Sequence, residues 1–437
     1  MPLPKILRDL LCLPTAAFLE RAVMSYIEGT CRSLPGVHLK YDRFGNLLAH
    51  YWRNPRSVRP LAFVAHTDHP GFAALEMIAE RELRAEFRGG VRAEYCVGAP
   101  VRFWSENEWV EGEVVKLTRL LPATAPGAPR RPREAVIRVR GPVQPNSPGM
   151  WCLPEPHLDG DSVRATACDD LAGVAAVLSL LERLSRDRAR AEVFCLFTRA
   201  EEVGFVGASG AIAARTLPKR AAVLSIETSS ALANAPVGAG PIVRVGDRAS
   251  IFTPDLVAFC TRVAQKLATR RRRFRFQRRL MDGGMCEASA FGSHGYSVAG
   301  ICLALGNYHN MDTAARRIAA EYVSLQDWRG MVDLFEALVL DEDGPTRDVE
   351  LRRRIDLLFA EQRARLKLRP LTAGSEPRWY RRAWNLPITG TVGTLPPDRS
   401  FFRRVGSVAH VRTRPQASRP LFPQMCTCCR RAYAPAC

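Results

Sequence analysis

The stretch FVAHTDHPGF, Phe63–Phe72, runs an apolar segment into three ionisable side chains, His66, Asp68 and His69, and closes on Pro70 and Gly71. The run PLAFVAH is short and continuous, the pattern of a buried strand. In an α/β fold, ligands gather outside the carboxyl ends of the strands, so a strand that ends in ionisable groups points to a site.

Partners for such a site follow along the chain. FCLFTRAEE ends on Glu201 and Glu202, VLSIE on Glu227, and ICLALGNYH on His309, while the turn TACDDLAG sets Asp169 and Asp170 ahead of a helix. Each has an ordinary explanation. A lone strand-end histidine is more often structural, Asp169 and Asp170 could cap the helix, Glu201 and Glu202 could be a solvated pair, and Glu227 could belong to a turn. Together, at five ends, they form a set of two histidines and several carboxylates. Imidazole and carboxylate without thiolate suit zinc or a similar divalent ion. Two ions sharing one carboxylate are easier to build from this set than one. Such a pair binds an attacking water and a substrate carbonyl together, and a spare carboxylate can serve as general base. His69 is read as a supporting or rim residue, and His157 and His294 as loop residues.

Around these ends the chain reads as α/β. Residues 1–72 open with helices and a hairpin at Gly45-Asn46 and form the first part of a catalytic domain. Residues 73–158 change to short alternating segments broken by Gly, Pro and Asn, which predicts an inserted β domain. Its Pro-rich LLPATAPGAPRRPRE is expected to be an exposed loop. Residues 159–345 return to alternating helix and strand on a mainly parallel sheet. A C-terminal helix is expected within 346–370, with Leu351, Ile355, Leu358, Phe359 and Leu366 on one face. Residues 371–437 are basic and expected to be disordered.

The net charge of +19 invites a nucleic-acid reading, and its distribution weakens it. From Thr346 onward there are 19 Lys+Arg and 6 Asp+Glu, leaving 44 against 38 in the first 345 residues. Seven arginines between Arg270 and Arg279 cover the remaining excess. That run is read as an exposed helix end and strand. Nine of the thirteen cysteines are scattered singly and read as buried thiols; the other four cluster in the tail without zinc-finger spacing. No signal peptide and no membrane span is expected, which predicts a cytoplasmic protein.

The order His-x-Asp, Asp-Asp-x-x-Gly, Glu-Glu-x-Gly, strand-end acid and late His resembles that of co-catalytic di-zinc peptidases. The β insertion between the first two motifs, with GNLLAHYW, AHTDHPGF, ACDDLAGVAAVL and RAEEVGFVGASGA, is similar to the tetrahedral (glutamyl or deblocking) aminopeptidases. The resemblance implies a zinc-peptidase-like α/β/α sandwich with an inserted small β-barrel. It implies two divalent metal ions, zinc or else cobalt or manganese. His66, Asp169, Glu202, Glu227 and His309 would be ligands, with Asp169 bridging. Asp68 would orient His66, and Glu201 would be the general base. Glu227 stands where the family usually has Asp, and GNYHNMD and GGMCEASAF depart from its pattern. The implied activity is removal of N-terminal residues from peptides by a homo-oligomer. Two alternatives stand beside it: a di-zinc amidohydrolase acting on N-acyl amino acids or small amides, and a polyanion-binding protein using the basic tail. Neither a membrane nor a nucleic acid is expected as partner.

Overall fold

The computed structural model describes residues 2–55, 59–122, 129–345 and 350–366. Eight strands form the main sheet, in the spatial order Val37–Tyr41, Leu47–Trp52, Glu192–Thr198, Leu61–His66, Ala222–Ser230, Ser297–Leu305, Ile242–Asp247, Gln277–Met281. The four in the middle, from Glu192–Thr198 to Ser297–Leu305, run parallel, with antiparallel pairs on both sides. The sheet is thus mixed, with its parallel part at the centre. Leu61–His66 is buried along its whole length, as a parallel core requires.

The helix Cys168–Arg186 packs against the helix Leu325–Leu340 and the strands Leu61–His66 and Ala222–Ser230. Its Ala- and Gly-rich first half allows this close approach. Trp328 of the second helix donates its indole N–H to the Ala172 carbonyl at 2.9 Å, so the largest side chain at this contact leaves no buried donor unpaired. Ser324 caps that second helix by accepting the N–H of Asp327 at 3.0 Å.

Six strands close into a barrel: Gly71–Ala79, Glu82–Arg88, Pro100–Ser105, Glu108–Leu121, Arg131–Val139 and Pro148–Trp151. Inward residues alternate with outward ones, as in the e-B-i-B-i-B-i burial of Glu82–Arg88. The rings of Phe72, Phe87 and Trp151 fill the interior, with centroids 4.9 and 5.1 Å from Phe72. Burying each such side chain contributes about 1.5–3 kcal/mol. Gly149 faces this stack, and a β-carbon there would stand 2.4 Å from the Phe103 ring. The barrel strands therefore span Gly71 to Trp151. His157–Asp159, assigned in part to the insertion from its sequence, instead pairs with Ser162–Ala165, which pairs with Glu321–Ser324. The barrel and main sheet lie in one compact unit, Met1–Arg353.

The ends of the Pro-rich stretch, expected to be loop, belong to two barrel strands, where Leu120 and Leu121 pair with Pro132 and Arg131, and its centre 123–128 lies outside the described residues. The arginine run spans the exposed end of the helix Pro254–Arg270 and the start of the strand Gln277–Met281. A helix covers Glu350–Gln362, with Ile355, Leu358 and Phe359 exposed. The tail 371–437 and its cysteines lie outside the described residues.

Candidate metal centre

Five segments converge at the carboxyl edge of the parallel strands. His66 is the last residue of Leu61–His66 and is buried. Its Nε2 lies 3.3 Å from Asp169 Oδ1 and 3.8 Å from Glu227 Oε2. His309 Nε2 lies 3.7 Å from Asp169 Oδ2 and 3.3 Å from Glu202 Oε2. Two groups of donor atoms result, His66–Asp169–Glu227 and Asp169–Glu202–His309, each within 4.8 Å, and they share Asp169. Glu227 sits within its strand, which runs on to Ser230, rather than at the strand end its sequence suggests.

Both imidazoles are set for ligation. His66 Nδ1 faces the Asp68 carbonyl at 3.1 Å, and His309 Nδ1 faces the Gly90 carbonyl at 2.6 Å. A proton on each Nδ1 leaves both Nε2 lone pairs turned toward Asp169. It is the carbonyl of Asp68 that makes this contact; its carboxylate stands 3.6 Å away from the ring.

The Asp68 carboxylate has other partners, the N–H groups of Glu201 and Glu202 at 2.9 and 3.1 Å. The two preceding amides are held in the same way: Ala200 N–H by Glu20 Oε1 at 3.0 Å and Arg199 N–H by Asn46 Oδ1 at 3.2 Å. Four successive backbone donors are thus tied to three side chains from distant segments. The tie also holds Ala200 at φ +52°, a conformation non-glycine residues seldom adopt. This fixes the turn that carries both glutamates. His69, read as supporting or rim, is fully buried between the Asp169 carbonyl at 2.6 Å and Asn310 Oδ1 at 2.9 Å.

Asp169 and Asp170 open the helix Cys168–Arg186 with non-helical dihedrals, and the peptide between them is cis. The Asp170 carboxylate folds over Gly173, where a β-carbon would stand 2.3 Å from Oδ1. The Asp-Asp-x-x-Gly spacing therefore has a steric reason.

Charge in the site is one-sided. Burial, with the charges of Glu227 and Asp68, pushes the Glu201 carboxyl well up. Burial with Asp169 and Glu201 does the same to Glu202. Burial with Asp169 raises Glu227 to about 8, and burial raises Glu287, fully enclosed in its helix, to about 7. Burial pulls His309 down to about 4. His66 is pushed the other way, since Glu201, Asp169, Asp68 and Glu227 together outweigh its burial. Asp169 Oδ1, Glu202 Oε1 and Glu227 Oε1 are buried without a hydrogen-bond partner. Enclosed acceptors crowded by like charge are costly unless a cation faces them. With the two Nε2 lone pairs, they fit divalent ions.

Sequence reasoning did not reach Glu20, Asn46, Glu287 or Glu321. Asn46 was legible only as a turn residue in GNLL, and the three glutamates carry no spacing signal.

Residues 147–325, which hold Asp169, Glu201, Glu202, Glu227 and His309, match the family model described as M42 glutamyl aminopeptidase. Over these residues the chain is similar to the M42 peptidases. The matched residues and the donor groups they supply make it a metal-dependent peptide hydrolase of the aminopeptidase class. Its fold is that of solved TET structures. The TET1 peptidase of Pyrococcus horikoshii, reported to assemble into a tetrahedron or a large octahedral shell, is 21% identical over 77% of this chain and 99% of its own, with a TM-score of 0.63. The aminopeptidase APDkam598 of Desulfurococcus kamchatkensis is 21% identical over 77% of this chain and 93% of its own, also at 0.63. The TET aminopeptidase of Thaumarchaeota archaeon SCGC AB-539-E09 is 20% identical over 78% and 99%, again at 0.63. No curated protein matches the chain. Among the described residues, no helix of the chain is long and apolar enough to cross a membrane.

Proposed function

We propose that the chain removes N-terminal residues from peptides with two divalent cations, zinc or else cobalt or manganese. His66, Asp169 and Glu227 would hold one ion, and Asp169, Glu202 and His309 the other. The observation that carries this reading is the pair of donor groups sharing one buried aspartate. When bound, the cations supply Lewis acidity for the scissile carbonyl and lower the pKa of water.

The remaining chemistry falls to the chain. Glu201 takes a proton from the water that adds to the carbonyl carbon of the first peptide bond. It returns that proton to the leaving nitrogen as the C–N bond breaks. Burial and the charges of Glu227 and Asp68 raise its pKa above the usual carboxylate range, the direction that strengthens it as a proton acceptor once ionised. Asp68 supports it by holding the N–H groups of Glu201 and Glu202.

Beside Glu227 a cavity of about 20 Å³ is walled by Ser229, Arg244, Met281, Met285 and Tyr308. Arg244 is 2% exposed, donates from Nη1 to Ser229 Oγ at 3.0 Å, and has a buried Nε without a partner. A cavity of this size holds about one water, so Arg244 is proposed to draw an acidic first side chain by its charge rather than to enclose it, in keeping with the glutamyl of the family's description. Arg244→Met should then lower kcat/KM on glutamyl-arylamide far more than on leucyl-arylamide. Equal losses on both would remove that assignment.

The chain is further proposed to form a homo-oligomer, as the TET1 structures do, and to reside in the cytoplasm. Metal analysis of the purified protein, paired with aminoacyl-arylamides and N-acetyl amino acids as substrates, tests the main reading. Two ions per chain with turnover of free-amine substrates supports it. Turnover confined to N-acyl substrates would favour the amidohydrolase alternative.

A further inference from the structure

One buried carboxylate joins the two halves of the centre. Glu321 opens the strand Glu321–Ser324 and is fully buried. Its Oε2 accepts the N–H of Asp169 at 3.0 Å, and its Oε1 accepts the N–H of His309 at 2.8 Å. Regular structure secures neither segment at that point. Asp169 has non-helical dihedrals ahead of its helix, and His309 is held at φ +55° between Asn307 at +53° and Asn310 at +61°. Asparagine tolerates the left-handed region; histidine adopts it at a cost of about 1 kcal/mol or more. A charge-assisted hydrogen bond from the backbone of that same residue offsets the cost.

We infer that Glu321 is a positioning residue that sets the separation between Asp169 and His309. It thereby shapes the half-site of Asp169, Glu202 and His309 while touching neither cation nor substrate. The inference rests on the two-cation reading given above. In the other half-site Asp169 is shared, but His66 and Glu227 have their own support, since both lie on neighbouring central strands of the sheet. A second tie runs parallel to Glu321, from the Asp169 carbonyl through His69 to Asn310. Loss of Glu321 should therefore loosen the turn rather than unfold it.

The decisive variant is Glu321→Gln. A carboxamide of the same shape has one acceptor oxygen, and its NH2 group must then face the other N–H. The test is calorimetric titration of Zn²⁺ into chelator-stripped full-length protein. Wild type should show two sites. Glu321→Gln should keep one at wild-type affinity and weaken the other about 10–100-fold, the range seen when groups supporting a metal ligand are changed. Its kcat should fall at limiting Zn²⁺ and recover as the ion approaches saturation, a rescue that a general loss of stability would not give. Glu321→Asp keeps two acceptor oxygens on a shorter arm and should weaken the same site by a smaller factor; if the Gln variant does not fold, this one decides. Equal weakening of both sites, or wild-type affinity at both, overturns the inference. A wild-type protein that binds a single ion removes the two-cation reading and this inference with it. A wild type with two sites and variants that match it remove this inference alone.

Discussion

Glu201 and Glu202 are chemically identical neighbours on one tied turn, and the proposed mechanism gives them opposite duties. Their conversion to glutamine is therefore the sharpest test of the site. In Glu201→Gln the backbone tie to Asp68 persists, because it uses the N–H rather than the side chain. The donor groups around Asp169 are also untouched, since neither contains Glu201. Metal content should stay at the wild-type level. Loss of the proton carrier should lower kcat by ~10²–10⁴-fold, which corresponds to ~2.7–5.5 kcal/mol of barrier. KM should change little. In Glu202→Gln a neutral amide replaces the carboxylate 3.3 Å from His309 Nε2. Metal affinity should drop by at least the ~10-fold seen when a supporting group is lost, and excess metal should restore part of the rate. The assay is metal content by mass spectrometry beside initial rates on an aminoacyl-arylamide. The structure also contains a rival arrangement, because donor atoms of His66, Glu201 and Glu202 lie within 4.8 Å of one another. If Glu201→Gln loses an ion while Glu202→Gln keeps both and loses only rate, that arrangement is the functional one and the roles are exchanged.

Gly173→Ala should destabilise the protein by about 1–3 kcal/mol, because the new methyl would meet the Asp170 carboxylate at 2.3 Å in a fully buried place. Gly29→Ala has the opposite sign, a gain of about 0.5–1 kcal/mol, since Gly29 lies inside the helix Arg21–Arg32 with nothing within 4 Å of its β-carbon position; denaturant melts of both variants in chelator check the pair, and a Gly173→Ala protein as stable as wild type would contradict the steric account of the Asp-Asp-x-x-Gly spacing. Removing divalent ions should lower the melting temperature, because buried acceptors at Asp169, Glu202 and Glu227 lose their counter-charge; titrating zinc back to 100 times its dissociation constant should restore about 2.7 kcal/mol for each site, and a melting temperature indifferent to chelator would argue against ions at these residues.

The parts of this site that sequence reveals are those where side-chain chemistry and local pattern coincide. His66 closes an apolar run and is the end of a strand. Asp169 and Asp170 precede a helix, and the barrel strands alternate as read. One strand of the main sheet was hidden for a physical reason. Ile242–Asp247 carries Arg244 and so does not look like a buried strand, whereas Gln277–Met281, at the sheet edge with two arginines, is the exposed strand read from the arginine run. The residues that hold the site together were hidden for another. Glu20, Asn46 and Glu321 act on backbone N–H groups, as does Asp68, which was read as orienting His66 instead, and a backbone donor is the same at every non-proline position. The turn they grip can be read from its carboxylates, but the grip leaves no mark on the gripped residues.

The barrel belongs to this argument more closely than an insertion of its kind suggests. Gly90, just beyond the strand Glu82–Arg88, offers its carbonyl to His309 Nδ1 at 2.6 Å. A β-carbon on Gly90 would stand 3.4 Å from that nitrogen, so the backbone lies directly beside the ring. The contact fixes the tautomer of a histidine whose ring is also stacked on Tyr308, with centroids 3.7 Å apart. His66 takes its orientation from its own turn, through the Asp68 carbonyl, whereas His309 takes its orientation from the barrel. One half of the metal centre therefore takes His66 and Glu227 from the sheet and shares Asp169 with the other. The other needs the sheet, the barrel and the Glu321 strand to meet, and changes in the barrel's docking should appear first in the half-site of Glu202 and His309.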